Sequence, residues 1–423
     1  MADIIDFKGI RYNGEKISNF EDVITLPYDK IDPEQQDDYY QRSKYNFVRV
    51  ILGKDETEGK NEKYKKAKQY VLDWMKQGIL IQDNTPCLYP YVQEYEIEGK
   101  KKTRFNFITA LKVSDYEEGI VIPHERTLSG PKKDRMNLLK ETEMNTELIF
   151  LLYQDKEDRI KKLMSESIQN GVIAEMVDDN NTVHKVYKLE DQDIIQQTKD
   201  ILSDKKVFIA DGHHRYETSL AYSKDHADNE NAKYILCALV NMDDLEGLTI
   251  LPTHRVVKKI ENFDKEKLIN GIKQDFDITE FSDLEELNKE LIKSEKSFGL
   301  CFPNSFYLIK LKDTKIALDK ITGDYSDAYK MLDVAILHTI ILEDLLGIDK
   351  AKLEAKTNLE YIRGYRKAYN VLVNNNYQCA FLLNSTKINE LSEVASNGDK
   401  MPQKSTDFFP KLLSGFTVRD ISK

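Results

Sequence analysis

The chain has 423 residues, of which 40% are hydrophobic and 32% charged, and its formal net charge is −11. That length holds roughly two or three domains, with enough apolar residues for packed cores rather than disorder. The acidic balance disfavours general binding to nucleic-acid phosphates, which needs clustered Lys and Arg, but it leaves room for a local basic pocket. The four cysteines, Cys87, Cys237, Cys301 and Cys379, show no zinc-ligand spacing. Neither a secretory signal at "MADIIDFKGI" nor an apolar run of about 18 residues is found, so a cytoplasmic protein without a membrane partner is expected.

In chain order, "EKYKKAKQYVLDWMKQG" carries Tyr64, Ala67, Val71 and Trp74 at helical spacing and ends on Gly78, a helix with a glycine stop. "LYPYVQEYEI" and "TRFNFITAL" alternate around "EGKK", which predicts a β-hairpin. A short strand to Ile122, a polar loop, a helix from about Lys133 and a strand over Leu148–Tyr153 follow. The segment "KEDRIKKLMSESIQNG" reads as a helix, "TVHKVYKL" as a strand and "DQDIIQQTKDILS" as a helix. Next come a strand at Val207–Ala210, a helix, and the apolar strand "KYILCALVNM".

Beyond Leu251 the pattern predicts two helices, then strands at "SFGLCF", "SFYLIKL" and "KIALD". One long helix is expected at "SDAYKMLDVAILHTIILEDLLG", a buried strand at "QCAFLLN" and a helix at "TKINELSEVASNG". Strands and helices intermix throughout, so the class is α/β to α+β, mixed sheets with helices. Three regions are expected: 1–110, mixed α/β; 111–255, with the ionisable motifs; and 256–423, α+β with the "MPQKST" tail.

The densest chemistry lies in "VFIADGHHRYETSLAY", a strand running through Asp-Gly into a helix. Gly212 permits positive φ and close approach to a ligand. The first helical N–H groups point outward, and the helix dipole favours an anion there. Arg215 offers a forked donor, His213 and His214 can donate or move a proton, and Asp211 suits a base or an orienting carboxylate. The plainer reading makes Asp211 a cap and Gly212 a turn residue.

"PHERTLSGPKKDR" sets Glu125 between His124 and Arg126, with Lys133 and Arg135 behind a turn. A carboxylate among cations serves as a general base or a Mg2+ ligand beside a phosphate clamp, or else belongs to a solvated charged loop. "LPTHRVV" contributes His254 and Arg255, and "MPQKST" contributes Lys404, which suits closure over a phosphate. Tyr28, Asp29 and Asn46 add polar groups in which turn and packing roles weigh more.

These segments, with "PYDKIDPE", "YNFVRVIL" and "MPQKSTDFFPKLLSGF", resemble the bacterial and archaeal family called DUF1015 from about residue 25 to 420. The "DGHHR" turn is also similar to the phosphate-binding turn of the ParB/sulfiredoxin-like group, one branch of which comprises free-serine kinases with an upstream glutamate. That resemblance implies a strand-turn-helix phosphate site with Glu125 as the glutamate, and phosphoryl transfer involving serine or phosphoserine. A kinase would need ATP or ADP; a phosphatase would need a water and a base. The partner is then a small phosphorylated metabolite or a nucleotide. Two alternatives share the turn: a ParB-like nucleotide-binding regulator, and a non-enzymatic phosphometabolite-binding protein. The net charge and the absence of a basic helix-turn-helix weigh against the first.

Overall fold

The computed structural model describes residues 1–54, 61–125, 127, 129–168, 171–355 and 357–422. The chain forms two compact units, Met1–Thr249 with Pro410–Lys423, and Ile250–Phe409. The expected boundary near residue 110 falls inside a strand of the first unit, and the last residues of the expected third region return to that unit.

The first unit is built on a nine-stranded mixed sheet. Its strands are β1 (Ile4–Ile5), β2 (Tyr89–Ile97), β3 (Lys100–Lys112), β4 (Val121–Ile122) and β5 (Ile149–Tyr153). The others are β6 (Val172–Val177), β7 (Val183–Tyr187), β8 (Val207–Asp211) and β9 (Tyr234–Asn241). Their spatial order is β4-β8-β5-β9-β3-β2-β7-β6, with β1 beside β3. β8 runs parallel to β4 and antiparallel to β5, and β5 runs parallel to β9.

The expected hairpin is β2–β3, turned by Glu98 and Gly99 with φ of 52° and 74°. Two consecutive positive φ values match the right-handed twist of the strands they join. Side chains then alternate between the two faces. Phe105, Phe107 and Leu111 enter an apolar core with Ile149, Leu151, Val207, Ile209 and Leu239. That core takes Ile160 and Met164 from α3 (Arg159–Ser167) and Ile195 and Leu202 from α4 (Gln192–Leu202), once α1 (Glu62–Lys76) and α2 (Ser129–Thr142) have preceded them in the chain. The alternate residues Arg104 and Asn106 of β3, Gln93 and Tyr91 of β2 and His184 of β7 are buried and polar. They face the C-terminal segment: Gln93 Nε2 donates to the Lys411 carbonyl at 2.9 Å, and the Phe416 ring packs on Tyr91 at 5.3 Å.

α5 (His213–Asp225) follows β8 directly and packs against α2, which in turn packs against α1. α2 begins four residues before the expected start at Lys133.

The second unit holds a six-stranded antiparallel sheet. Its strands are β10 (Thr253–Val257), β11 (Phe276–Phe281), β12 (Ser297–Phe302), β13 (Ser305–Leu311), β14 (Leu359–Arg363) and β15 (Cys379–Leu382), ordered β11-β13-β12-β15-β10-β14. One face carries Phe298, Leu300, Ile309 and Phe381 against Leu268 and Ile272 of α6 (Lys265–Asp275). The other carries Val256, Cys301, Ala380 and Leu382 against Leu287 and Leu291 of α7 (Leu284–Lys293).

Two expectations are corrected here. "KIALD" is not a strand but part of α8 (Thr314–Lys320), because the Asp313 side chain accepts from the Lys315 N–H and caps a helix. The long helix is divided at Leu332, whose ψ of 132° is extended; a short α-helix at Asp333–Ile336 continues as π-helix over Leu337–Glu343. Lys296 Nζ, held by the Met331 carbonyl at 2.6 Å and Glu390 at 3.2 Å, ties down the break. The overall class is the expected one, mixed sheets with helices.

Candidate functional site

β8 ends at Asp211, and Gly212 turns the chain at φ 97° into the first turn of α5. A Cβ on Gly212 would lie 3.1–3.2 Å from the Arg215 guanidinium, which folds over the turn. Arg215 donates through Nη1 to the Leu148 carbonyl and places Nη2 3.7 Å from Asp211. It braces the turn from within and holds the carboxylate in place.

Burial alone would raise the Asp211 pKa, but Lys411, Lys30, Arg215 and His213 together hold it well below the usual carboxylate range. Asp211 is therefore an anion at neutral pH, suited to accepting hydrogen bonds rather than donating a proton. Lys30 comes from "PYDK" and also pairs with Asp29 at 2.8 Å.

The two histidines that begin and face α5 are locked into defined tautomers. His124 Nδ1 donates to the Ile209 carbonyl at 2.6 Å, and burial pushes its imidazole down to about 4. The His124 backbone N–H donates to His213 Nε2 at 3.2 Å, and the two rings meet edge to face at 4.7 Å. With Nε2 an acceptor, neutral His213 carries its proton on Nδ1, 3.9 Å from Glu125 Oε2. The His213 side chain is 3% exposed and that of Glu125 is 44% exposed. Glu125 is thus the member that meets solvent or a ligand, and His213 supports it from behind.

His214 is half-buried; burial lowers its pKa, partly opposed by Glu217 and Asp29. Glu217, one turn on, accepts from Thr127 Oγ1 at 2.6 Å and Lys132 Nζ at 3.0 Å, fastening the "PHERT" loop to α5. Lys133 is exposed. Arg126 lies outside the described residues.

Arg135 is buried and fully engaged. It donates to Glu147 and to the Ile51 carbonyl, both at 2.9 Å, and its guanidinium covers the Tyr28 ring at 3.9 Å. Glu147 in turn accepts from the Tyr28 N–H at 3.0 Å. Burial pushes the Tyr28 phenol up to about 12, with Arg135 and Arg215 opposing. Arg135 is a strut that sets the "PYDK" loop beside the "DGHHR" turn, a different task from the phosphate contact expected of it. Asn46 is a packing residue, bonded to the Asp22 carbonyl at 2.8 Å and the Val48 N–H at 2.9 Å.

His254, Arg255 and Lys404 belong to the second unit. Arg255 is fully buried; it donates to the carbonyls of Thr253, Gln403 (3.3 Å) and Lys404 (3.1 Å) and to His338 Nε2 at 3.3 Å. It clamps the "MPQKST" loop through main-chain oxygens. His254 is buried and accepts from the Leu383 N–H at 3.2 Å, and Lys404 is exposed.

The grouping that the structure brings together is thus Tyr28–Lys30, His124–Glu125, Glu147 and Asp211–Arg215, all in the first unit, with Lys411. Sequence reading missed Lys411 and Lys30. The signal was available in part: Lys411 follows the proline of "FFPKLLSGF", in an otherwise apolar stretch. A protein-held metal does not fit Asp211, which is ringed by cations, and among the described residues no group of three or more His, Cys, Asp or Glu is arranged to hold one. No described helix is long and apolar enough to cross a membrane.

The chain belongs to the family described as "Protein of unknown function (DUF1015)", whose profile matches residues 4–335. No functionally curated protein matches it. Among solved structures it is similar to a conserved hypothetical protein from Pyrococcus furiosus, at 14% identity and a TM-score of 0.34, over 72% of this chain and 94% of that one. A free serine kinase in complex with AMP aligns at 13% identity and a TM-score of 0.35, over 72% of this chain and 89% of that one. C-terminally truncated SbnI from Staphylococcus aureus aligns at 11% identity and 0.36, over 74% and 87%. All three likenesses are remote.

Proposed function

We propose that this protein is a phosphoryl-transfer enzyme acting on a small metabolite, with serine or phosphoserine as the substrate implied by its "DGHHR" turn. The observation that carries the proposal is the pairing of Glu125 with His213 at the start of α5: a solvent-facing carboxylate 3.9 Å from a buried imidazole whose tautomer is fixed by His124. It stands at a helix N-terminus, where free N–H groups and the dipole favour a phosphoryl group.

In this reading the N–H groups of the first turn, from His213 onward, receive the phosphoryl oxygens, and His214 donates from its neutral ring. Glu125 takes the proton from the attacking hydroxyl or water as the new O–P bond forms and the old one breaks; the leaving group is ADP or AMP when the serine hydroxyl attacks ATP or ADP, and serine, its oxygen protonated from solvent, when water attacks phosphoserine. His213 Nδ1–H faces the carboxylate and orients it. Asp211, an anion held by Arg215, fixes the turn. Lys30, Lys132 and Lys133 are the cations from which charge compensation is drawn, and Arg135 acts through the loop it supports. Transfer of this kind is mainly positioning and electrostatics, which suits a site made of braced loops.

The test is direct. The purified protein is incubated with phosphoserine, and separately with serine plus ATP or ADP, and phosphate and nucleotide products are followed. Phosphate release from phosphoserine assigns water as the nucleophile; nucleotide-dependent phosphorylation assigns the serine hydroxyl. No turnover in either, with a melting temperature unmoved by every ligand, overturns the proposal.

A further inference from the structure

α2 and α5 pack side by side, and a cleft remains between them. It contains about 370 Å³ of empty space, part of it open to solvent. Arg135, Leu138 and Leu139 line it from α2, and Arg215, Thr218 and Ser219 line it from α5. The run Met144 to Glu147, just ahead of β5, completes the lining with Ile235. A helix turns by about 100° per residue, so Arg215, Thr218 and Ser219 occupy the side of α5 away from His213 and Glu217. The cleft is therefore a different place from the pairing of Glu125 with His213.

The cleft holds polar groups that the chain leaves unused. Thr146 and Ser219 are 6% and 7% exposed, yet neither hydroxyl makes a hydrogen bond among the described residues. Thr218, beside them, is satisfied by the His214 carbonyl at 2.7 Å. Arg215 donates through Nη1 to the Leu148 carbonyl, and its Nη2 stands 3.7 Å from Asp211, beyond hydrogen-bonding distance. Its Nε–H and Nη2–H groups make no hydrogen bond among the described residues. Glu147 accepts one bond at each oxygen, from the Tyr28 N–H at 3.0 Å and from Arg135 Nη1 at 2.9 Å. A carboxylate has about four lone-pair sites, so acceptor capacity remains. Arg135, the third charged residue of the lining, is committed to Glu147, Asp134 and the Ile51 carbonyl. Buried polar groups are bonded as a rule, and unused donors and acceptors around one cavity call for an occupant.

The charges select its class. A simple anion gains Arg215 but faces Glu147, and a simple cation meets the reverse. A zwitterion satisfies both, and hydroxyls bond carboxylate and ammonium alike. Leu138, Leu139 and Met144 leave an apolar patch for a short side chain. We propose that the cleft between α2 and α5 binds a free α-amino acid with a short uncharged side chain, its carboxylate towards Arg215 and its ammonium towards Glu147, with Thr146 and Ser219 completing the contacts. The inference does not depend on the proposed reaction, whose proton-handling groups lie on the other side of α5.

The experiment uses the full chain, with affinity read by titration calorimetry and folding by the melting temperature. L-alanine and L-valine are the probes, since they lack the hydroxyl that phosphoryl transfer requires. At least one is expected to bind with a Kd below about 1 mM, and its size-matched carboxylic acid and amine to bind at least about tenfold more weakly. These are isovalerate and isobutylamine for valine, and propionate and ethylamine for alanine. Thr146→Val combined with Ser219→Ala removes both unbonded hydroxyls and is expected to weaken amino-acid binding by about tenfold or more. If neither amino acid binds, the inference is overturned and the phosphoryl-transfer reading is left to its own assay. An acid or amine that binds as tightly as its amino acid overturns it too, because the cleft then recognises a single charge. Affinity unchanged in the double variant puts the ligand elsewhere and also overturns it. Should the double variant melt much lower, the two single variants decide: each is expected to lose about threefold, and unchanged affinity in both overturns the inference. Amino-acid binding that persists in a protein without phosphoryl transfer supports this site and overturns only the reaction.

Discussion

At the scale of single residues, the site is held by groups whose work differs from what their type implies. Glu125 and His213 are 88 residues apart in sequence, and the parallel pairing of β4 with β8, with the bonds from His124 to Ile209 and His213, brings their segments together. Glu125→Gln keeps the size and exposure of the side chain but removes its basicity, so kcat is expected to fall by about 10² or more with an unchanged melting temperature. A loss under about threefold in a turnover assay would assign Glu125 to structure. Gly212→Ala tests the turn: its φ of 97° strains any side chain, and the Arg215 guanidinium would have to retreat. A destabilisation of about 1–3 kcal/mol is expected in denaturant titration. The residue types of the site were legible, because acid, histidine and arginine crowd around one glycine. Their division of labour was not. Nothing in the sequence says that Arg135 will be spent on Glu147, Ile51 and Tyr28, or that Arg255 will clamp the main chain of its own unit. Guanidinium groups have five donors and find backbone oxygens as readily as phosphates.

At the scale of elements, the sequence was most readable where periodicity and punctuation agree. The hairpin β2–β3 has alternating strands and a glycine at its turn, and α1 has an apolar stripe and ends at Gly78 with φ 68°. The unread elements lack one of these signals. β6 is an edge strand with Val172 and Val177 exposed, so its alternation looks like noise after a helix. "KIALD" alternates, but a capping aspartate outranks five alternating residues. The hairpin turn gives a prediction of its own. Glu98 adopts φ 52° ahead of Gly99 at 74°, and asparagine tolerates that conformation better than glutamate. Glu98→Asn is expected to stabilise the first unit by about 0.4–1 kcal/mol, read as a rise in denaturant midpoint with an unchanged slope. A lower midpoint would show that the Glu98 side chain matters more than its backbone.

At the scale of the molecule, each unit contains histidines buried in the neutral form. Burial pushes His124 of the first unit and His254 of the second down to about 4, and His338 falls well below its ordinary value. An unfolded histidine titrates at about 6.5, so between about pH 6.5 and 4 the unfolded chain binds more protons than the folded one. Stability is therefore fully present above about pH 6.5 and is lost progressively as the pH falls towards 4. With shifts of this size, His124 and His254 each contribute on the order of 3 kcal/mol to the loss. Melting temperatures measured from pH 7.5 to 4.5 are expected to fall steeply below 6.5, and His254→Phe or His124→Phe should flatten part of the slope. A flat profile across that interval would contradict the buried, neutral assignment.

The chain leaves its first unit at Thr249 and comes back to it at Pro410. Translation is vectorial, and domains generally fold as they emerge from the ribosome. Most of the large sheet is made early, yet the polar face bearing Arg104, Gln93 and Tyr91 stays without its cover for about 160 further residues. The second unit, with cores of its own, is made during that delay, while the first waits with a buried-to-be arginine still hydrated. The nascent protein therefore gains its finished sheet only once the segment from Pro410 onward has been made, and a ribosome that stalls before it releases a chain with two sheets but no closed first unit.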